Sequence, residues 1–201
     1  MAKPAPVPAG PSASALRFKE ILEDHRITHL VTVPDNTSAP ILAAFEAEGA
    51  RRGETPREGP RVRVLYATRE GEGIGMASGL WLGGASPAVL IQNTGLLEAG
   101  DALRGTASRM GVPLLLLVTC RGYEKARGLG LEPAGLAVDR EVLVRNDLDS
   151  VAHMTESTLK AWAIPYLRVS DPDDLSPVGE ALSSARKDER PVAVLLDTSF
   201  H

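Results

Sequence analysis

Short apolar runs recur along the chain, separated by polar and glycine-rich residues. The runs are rich in valine, leucine and isoleucine and do not alternate strictly with polar residues, which is typical of strands buried on both faces of a parallel sheet. The segments between them carry apolar residues at helical spacing. The pattern therefore predicts strands over residues 27–33, 62–67, 88–92, 112–119, 166–169 and 192–196.

Helices are predicted between these strands. The first begins at a serine, Ser12 or Ser14, which is a favoured amino-terminal cap residue, and ends near His25. Strands that alternate with helices imply right-handed crossovers and a parallel sheet. We therefore expect an α/β fold with three layers, α/β/α, around a six-stranded, mainly parallel sheet. The other predicted helices cover residues 39–50, 96–110, 150–162 and 173–186, and a further predicted helix contains Glu70 and ends at residues 83–84.

Three stretches fall outside this pattern. Residues 1–11 are rich in proline and alanine, so we expect a disordered tail followed by one domain over residues 12–201. Residues 51–61 are hydrophilic and predict a surface loop. Residues 121–149 form a longer connection than the architecture needs, and this segment is either a lid or partner-contact loop or a surface excursion without function.

Composition and charge exclude several classes of partner. The net charge of −4 gives no general attraction to nucleic acid or to an anionic membrane, so neither is expected as a partner. The longest apolar run is broken by Pro113 and is too short to span a bilayer. The single cysteine, Cys120, rules out an internal disulfide and fits the reducing cytoplasm, where we expect the protein to reside.

Residues 68–79, which read TREGEGIGMASG, are the most informative stretch. They follow a predicted strand, and ligands of open α/β sheets bind beyond the carboxyl ends of the strands. Three glycines at positions 71, 73 and 75 each cost about 1 kcal/mol relative to alanine in a helix, so something is expected to approach this backbone closely. We therefore predict that Glu70 is the main functional residue of a ligand site in this stretch.

Three segments together resemble a known family. Residues 33–36 (VPDN), 68–79 and 91–96 (IQNTGL) resemble the pyrimidine-binding domain of thiamine-diphosphate-dependent decarboxylases of the sulfopyruvate and phosphonopyruvate decarboxylase type. The resemblance extends from about residue 16 to residue 196. In that family a glutamate precedes a helical glycine by nine residues, and Glu70 and Gly79 keep this spacing.

The resemblance implies a catalytic role for Glu70. A carboxyl group there hydrogen-bonds the pyrimidine ring of thiamine diphosphate and favours the tautomer that removes the proton from the thiazolium carbon, while the cofactor provides the electron sink. Thr68 and Gly95 would bind the cofactor beside Glu70. The implied activity is decarboxylation of a small 2-oxo acid.

The same resemblance suggests a substrate side of the cleft. Asp35 and Asn36 follow the first predicted strand, and Gln92 and Asn93 end the third, so their side chains would offer polar contacts to an anionic substrate. A second interpretation remains open for these residues. Aspartate and asparagine at strand ends also form turns and cap helices without contacting any ligand.

Part of the family pattern is missing from this chain. The family holds the cofactor diphosphate and magnesium with a Gly-Asp-Gly triplet, whereas the Gly-Asp pair here, Gly100-Asp101, precedes alanine inside a predicted helix. The four histidines are dispersed, so no metal site is expected on this chain. The resemblance therefore implies that a separate diphosphate-binding (beta) subunit holds the diphosphate and Mg²⁺, in a homodimer, a heterotetramer or a larger assembly.

Alternatives to this interpretation remain. Leu97 and Glu98 stand where the family commonly has glycine and asparagine, so the chain could be a non-catalytic module that retains the fold. A carboligase subunit would use the same cofactor step. A dinucleotide site is disfavoured because neither Gly71 nor Gly73 starts a G-x-G-x-x-G pattern.

Overall fold

The computed structural model describes residues 10–50, 61–135 and 138–200, apart from the side chains of residues 47–50 and 135. The predicted tail up to residue 9 and the predicted loop at 51–60 lie outside the described residues. No helix in the described part of the chain has the length and hydrophobicity needed to cross a membrane.

A six-stranded sheet forms the centre of the described structure. All strand pairs are parallel, which confirms the predicted architecture. The strand order is β2-β1-β3-β4-β6-β5, so the first strand lies next to the edge strand β2, and the later strands extend the sheet on its other side. The strands are β1 (His29–Thr32), β2 (Arg63–Tyr66), β3 (Pro87–Gln92), β4 (Leu115–Thr119), β5 (Tyr166–Val169) and β6 (Val192–Leu196).

Helices cover both faces of the sheet. Ser12 caps the first one, because its hydroxyl oxygen accepts a hydrogen bond from the Ala15 amide at 3.1 Å. A π-helical turn covers Leu103–Ser108, and a 3₁₀ turn covers Pro133–Gly135. The helices are α1 (Ala13–Asp24), α2 (Ala39–Ala50), α3 (Glu70–Leu82), α4 (Asn93–Glu98), α5 (Gly100–Ala102), α6 (Tyr123–Gly128), α7 (Arg140–Leu143), α8 (Val151–Ala161) and α9 (Ser176–Asp188).

Strand β4 shows how the two apolar layers arise. Leu115 and Leu117 pack into a core formed with α1, α2 and α9, whereas Leu116 and Val118 pack into a second core formed with α3, α4 and the π-helical turn. Successive side chains of a strand point to opposite faces, so a nearly continuous apolar run supplies both cores. The three-layer prediction is therefore confirmed.

The helix predicted over residues 96–110 is wrong at its start and in its continuity. The helix begins at Asn93, directly after the last residue of β3, because Gln92 is already extended and serves as the cap. It then breaks into α4, α5 and the π-helical turn. Gly100 and Gly105 lie along this stretch and weaken a regular helix. Residues 93–95 thus form the first turn of α4.

The segment of residues 121–149 has more structure than a loop, since α6, the 3₁₀ turn and α7 lie within it. Its two ends meet, because Arg121 Nε donates a hydrogen bond to Asp149 Oδ2 at 2.8 Å. Gly122 adopts a φ of +86°, and a Cβ atom there would lie 2.8 Å from the Cβ of Asp149. The start of this segment is therefore fixed against the start of α8.

Candidate functional site

The first part of the site lies where β1 and β3 end side by side. The chain leaves β1 towards α2 on one face of the sheet and leaves β3 towards α4 on the other face. Such a divergence opens a crevice at the carboxyl ends of the strands. The residues after the two strands meet there, since Gln92 Nε2 donates a hydrogen bond to Asp35 Oδ1 at 3.1 Å.

The Asp35 carboxylate organises the turn after β1. Its Oδ1 atom accepts a hydrogen bond from the Thr37 amide at 2.6 Å, and its Oδ2 atom accepts one from the Ser38 hydroxyl at 2.7 Å. With the bond from Gln92, this carboxylate is held from three directions. Asp35 therefore acts as a turn former and keeps the start of α2 beside β3, in agreement with the second interpretation of the sequence.

Asn36, in contrast, projects from the turn and is exposed. It lines a cavity of about 430 Å³ beyond the ends of β1, β4 and β6, a volume within the range of small-molecule sites. Of the predicted site residues, Asn36 alone lines this cavity. Thr37 and Thr119 connect it to the crevice, because their hydroxyl oxygens lie 2.7 Å apart.

Asn93 differs from its neighbour Gln92. Asn93 is fully buried, and its Nδ2 atom donates hydrogen bonds to the Arg121 carbonyl at 3.0 Å and to the Thr155 hydroxyl at 3.1 Å. These contacts tie α4 to α8 and to Arg121, two residues after the end of β4. The amide protons of Asn93 are thus committed in the interior, and those of the partly buried Gln92 are donated to Asp35 and Thr37 at the crevice.

Glu70 is the first residue of α3 and lies over the first turn of α4. A Cβ atom at Gly95 would lie only 2.3 Å from the Cγ and Oε1 atoms of Glu70, so the absence of a side chain at Gly95 makes room for this carboxylate. The Glu70 side chain is partly buried, and it forms no hydrogen bond or ion pair with any residue that the structure describes. Its carboxylate is therefore held in place by packing and is available to a ligand.

Thr68 and Glu72 fix the turn that leads into α3. Glu72 Oε2 accepts hydrogen bonds from the Thr68 amide at 2.8 Å and from its hydroxyl at 2.6 Å. These two donors hold the pKa of the Glu72 carboxyl below its ordinary value. A Cβ atom at Gly73 would lie 3.5 Å from Val31, which is an ordinary contact, so packing among the described residues does not require glycine at this position.

A buried network of charged side chains lies at the other end of the same sheet edge. This network was not predicted from the sequence. Glu156 accepts hydrogen bonds from Tyr166 at 2.7 Å and from Arg168, and Asp197 is paired with Arg127 and with Arg168. Burial raises the pKa of Asp197, and burial together with the Glu156 carboxylate raises the pKa of Tyr166 to about 12. These residues lie far apart in sequence, so no local motif reveals them.

Cys120 directly follows β4, lines the cavity and is not suited to nucleophilic catalysis. Burial is the main cause that raises the pKa of its thiol, and the nearby Asp197 carboxylate raises it further. The thiol therefore remains protonated at neutral pH. Within residues 10–50, 61–135 and 138–200, no group of three or more histidine, cysteine, aspartate or glutamate side chains could hold a metal ion.

Comparison with known families agrees with this arrangement. The family described as "Thiamine pyrophosphate enzyme, N-terminal TPP binding domain" matches residues 17–140, which span β1 to β4 and contain Glu70 and Gly95. The chain belongs to this family. Its members contribute the amino-terminal domain of thiamine pyrophosphate enzymes, so the relevant cofactor is thiamine diphosphate.

Individual relatives point to the same thiamine pyrophosphate enzymes. The alpha subunit of sulfopyruvate decarboxylase from Methanococcus maripaludis is 30% identical over 140 residues, which cover 69% of this chain and 74% of the relative. The corresponding subunit from Methanothermobacter thermautotrophicus is 26% identical over 180 residues, or 89% and 92% of the two chains.

A solved structure shares the fold. The 2-oxoglutarate:ferredoxin oxidoreductase from Magnetococcus marinus superposes with a TM-score of 0.56 at 19% identity. The match covers 90% of this chain and 28% of that chain, so it shows the fold alone.

The described residues fit the pyrimidine end of thiamine diphosphate. A partly buried carboxylate without a partner among the described residues stands at the carboxyl edge of the sheet, where a ring nitrogen could take up a hydrogen bond. Gly95 keeps this position open for Glu70. Glu72 fits the same role less well, because its Oε2 atom already accepts two hydrogen bonds from Thr68.

Proposed function

We propose that this chain is the pyrimidine-domain (alpha) subunit of a two-chain, thiamine-diphosphate-dependent 2-oxo acid decarboxylase. The relatives that it matches over most of their length are named sulfopyruvate decarboxylase alpha subunits. The observation that carries the proposal is the Glu70 carboxylate, which packs on Gly95 and has no hydrogen-bond partner among the described residues.

Glu70 is proposed to hold and return one proton at the pyrimidine nitrogen. Bound thiamine diphosphate would supply the electron sink for loss of carbon dioxide from a 2-oxo acid. Packing on Gly95 orients the carboxylate, and contact with a partner domain would exclude water from its exposed side. Thr68 supports this position indirectly by fixing the turn before Glu70 through Glu72.

The substrate is proposed to bind between the crevice and the neighbouring cavity. Asn36 is the predicted substrate residue that is exposed at this edge, and its amide group can donate hydrogen bonds to an anionic 2-oxo acid. Gln92, Asp35 and Asn93 would act from behind it, since all three side chains are engaged in internal hydrogen bonds. The small size of the cavity, about 430 Å³, suits a small acid.

The proposal includes a second subunit. The Gly-Asp pair of this chain is helical, and Asp101 turns outward with 90% of its side chain exposed and pairs with Arg104. A diphosphate-binding (beta) chain is therefore proposed to hold the diphosphate and Mg²⁺, with the active site between the two chains in a heteromer of the cytoplasm. Glu70 would then be completed by groups from its partner.

Reconstitution tests this proposal. The purified chain is mixed with a candidate diphosphate-binding chain, thiamine diphosphate and Mg²⁺, and carbon dioxide release is measured with a panel of 2-oxo acids, sulfopyruvate included. We expect release only from the mixture, and loss of release with Glu70→Gln at unchanged assembly. Undiminished turnover with Glu70→Gln would reject the proposal, whereas formation of a carbon–carbon bond without free aldehyde would identify a carboligase.

Calorimetry examines the division of the cofactor between the two chains. Titration of thiamine diphosphate and Mg²⁺ into the chain alone is expected to give little heat, because no diphosphate-binding motif is present. The same titration into the mixture should give a stoichiometric transition. Tight binding by the chain alone would show that no second subunit is needed.

A further inference from the structure

Glu98, the last residue of α4, makes an unexpected contact with the first turn of α3. Its Oε2 atom accepts a hydrogen bond from the Gly71 amide at 2.7 Å. Its Oε1 atom accepts one from Arg69 Nε at 2.9 Å and lies 2.6 Å from a terminal nitrogen of the same guanidinium. A carboxylate from one helix thus reaches the amino terminus of another.

This contact provides the cap that α3 does not make for itself. The cap residue of α3 is Arg69, which forms no side-chain cap hydrogen bond. The first amides of a helix have no partner within the helix, and a negative charge next to them is favourable. Glu98 supplies both the acceptor and the charge.

The bond to the Gly71 amide is the stronger half of the contact. Arg69 is exposed over 74% of its side chain, and ion pairs that are open to solvent contribute little. Glu98 is less exposed, at 30%, and a charge-assisted bond to a backbone amide contributes more than a neutral one. We therefore expect Arg69 to steady the carboxylate rather than to determine its effect.

Helix α4 holds the first turn of α3 at two points that flank the catalytic carboxylate. Gly95 lies beneath the Glu70 side chain, and Glu98 binds the amide of the next residue, Gly71. A change in the first turn of α3 would move Glu70 away from Gly95. We propose that Glu98 is a positioning residue that fixes Glu70 by capping α3 from α4; this inference rests on the proposed function of Glu70.

The proposal also gives a role to a position at which this chain departs from the family pattern. Glu98 would introduce an unfavourable anionic group if its carboxylate pointed at an anionic substrate. Instead, the carboxylate is neutralised by Arg69 and the α3 amide.

Amide hydrogen exchange in the full chain tests the cap without any cofactor. In Glu98→Ala, exchange at the Gly71 amide should accelerate about tenfold, and in Glu98→Gln it should remain near the wild-type rate, because the amide oxygen of glutamine still accepts the bond. Asp101→Ala is the matched control, since this nearby carboxylate is exposed and its one ion-pair partner among the described residues is Arg104. Unchanged exchange at Gly71 in Glu98→Ala would overturn the cap.

A second measurement decides whether the cap positions Glu70. In the wild-type chain, the Glu70 Hγ protons should show a nuclear Overhauser effect to the Gly95 Hα protons, as their close packing requires. Loss of this effect in Glu98→Ala, with retention in Glu98→Gln and Asp101→Ala, supports the proposal. Retention in Glu98→Ala would overturn it.

The reconstituted complex then shows the consequence for catalysis. Glu98→Ala should lower kcat about tenfold with little change in KM for the 2-oxo acid, and Glu98→Gln should restore most of kcat. A wild-type complex without any turnover would reject the proposed function, whereas the exchange and Overhauser measurements on the chain alone would still decide the role of Glu98.

Discussion

The contact between Gly95 and Glu70 makes a sharp prediction, because one added methyl group should disable the site without unfolding the protein. The Cβ atom of Gly95→Ala would lie 2.3 Å from the Cγ and Oε1 atoms of Glu70. The three nearest atoms all belong to the end of this side chain rather than to backbone. The Glu70 carboxylate, and not α4, is therefore expected to move.

The magnitude follows from the geometry. Carbon atoms in contact lie about 3.5–4.0 Å apart, so the carboxylate must move by about 1 Å or more. A misplacement of about 1 Å in a catalytic group can cost about 100-fold in rate. Alanine favours a helix by up to about 1 kcal/mol over glycine, which offsets the rearrangement, so the stability of the chain should change by no more than about 1 kcal/mol.

Two assays measure these effects separately. Chemical denaturation of the chain alone reports stability, and carbon dioxide release by the reconstituted complex reports kcat. Gly75→Ala is the stability control, because a Cβ atom in this position of α3 meets no atom within 4 Å among the described residues and should only stabilise the helix. Wild-type kcat in Gly95→Ala, or a loss of several kcal/mol in stability, would refute the reasoning.

Three further predictions concern residues around the site. Asn93→Ala should destabilise the chain by about 1–3 kcal/mol in urea denaturation, because the buried Thr155 hydroxyl and the part-buried Arg121 carbonyl lose their donor. A raised substrate KM at unchanged stability would instead make Asn93 a substrate contact. The pKa of Glu72 is lowered, so its carboxylate should accept the hydrogen bond from the Thr68 amide at any pH above the ordinary glutamate pKa range and lose it as the pH falls below that range. Hydrogen exchange at the Thr68 amide, followed against pH, should lose this dependence in Glu72→Gln. The raised pKa of Asp197 means that the folded chain holds the proton of this carboxyl more tightly than the unfolded chain does. The contribution of Asp197 should therefore lower the stability of the chain as the pH rises from about 4. The difference between the wild-type and Asp197→Asn stability curves should show this slope, and parallel curves would contradict it.

The fold could be predicted from the sequence because strands covered on both faces leave a clear signal. The run that forms β4 is apolar at every position but the last, and its side chains enter both cores. Boundaries were less accurate: β1 is limited to His29–Thr32 and β4 to Leu115–Thr119, whereas longer strands were expected. Hydrophobicity continues beyond the paired residues, so it does not mark where pairing with the neighbouring strand ends.

The site could be predicted only in part. Glu70 and Gly95 belong to short motifs, and the structure brings them into contact. The roles of Asn93 and Glu98 depend on partners distant in the chain, the former on Thr155 and the latter on Gly71. Single residue types at a strand or helix end do not reveal such long-range bonds.

The central claim is that Glu70 activates the cofactor, and exchange of the thiazolium C2 proton for deuterium tests it most directly. The exchange is measured by acid quench and NMR on thiamine diphosphate bound to the complex with the partner chain, without substrate. We predict rapid exchange in the wild-type complex and exchange slowed by at least about 100-fold in Glu70→Gln, with cofactor still bound. Equal exchange rates in the two complexes would contradict the assignment of Glu70.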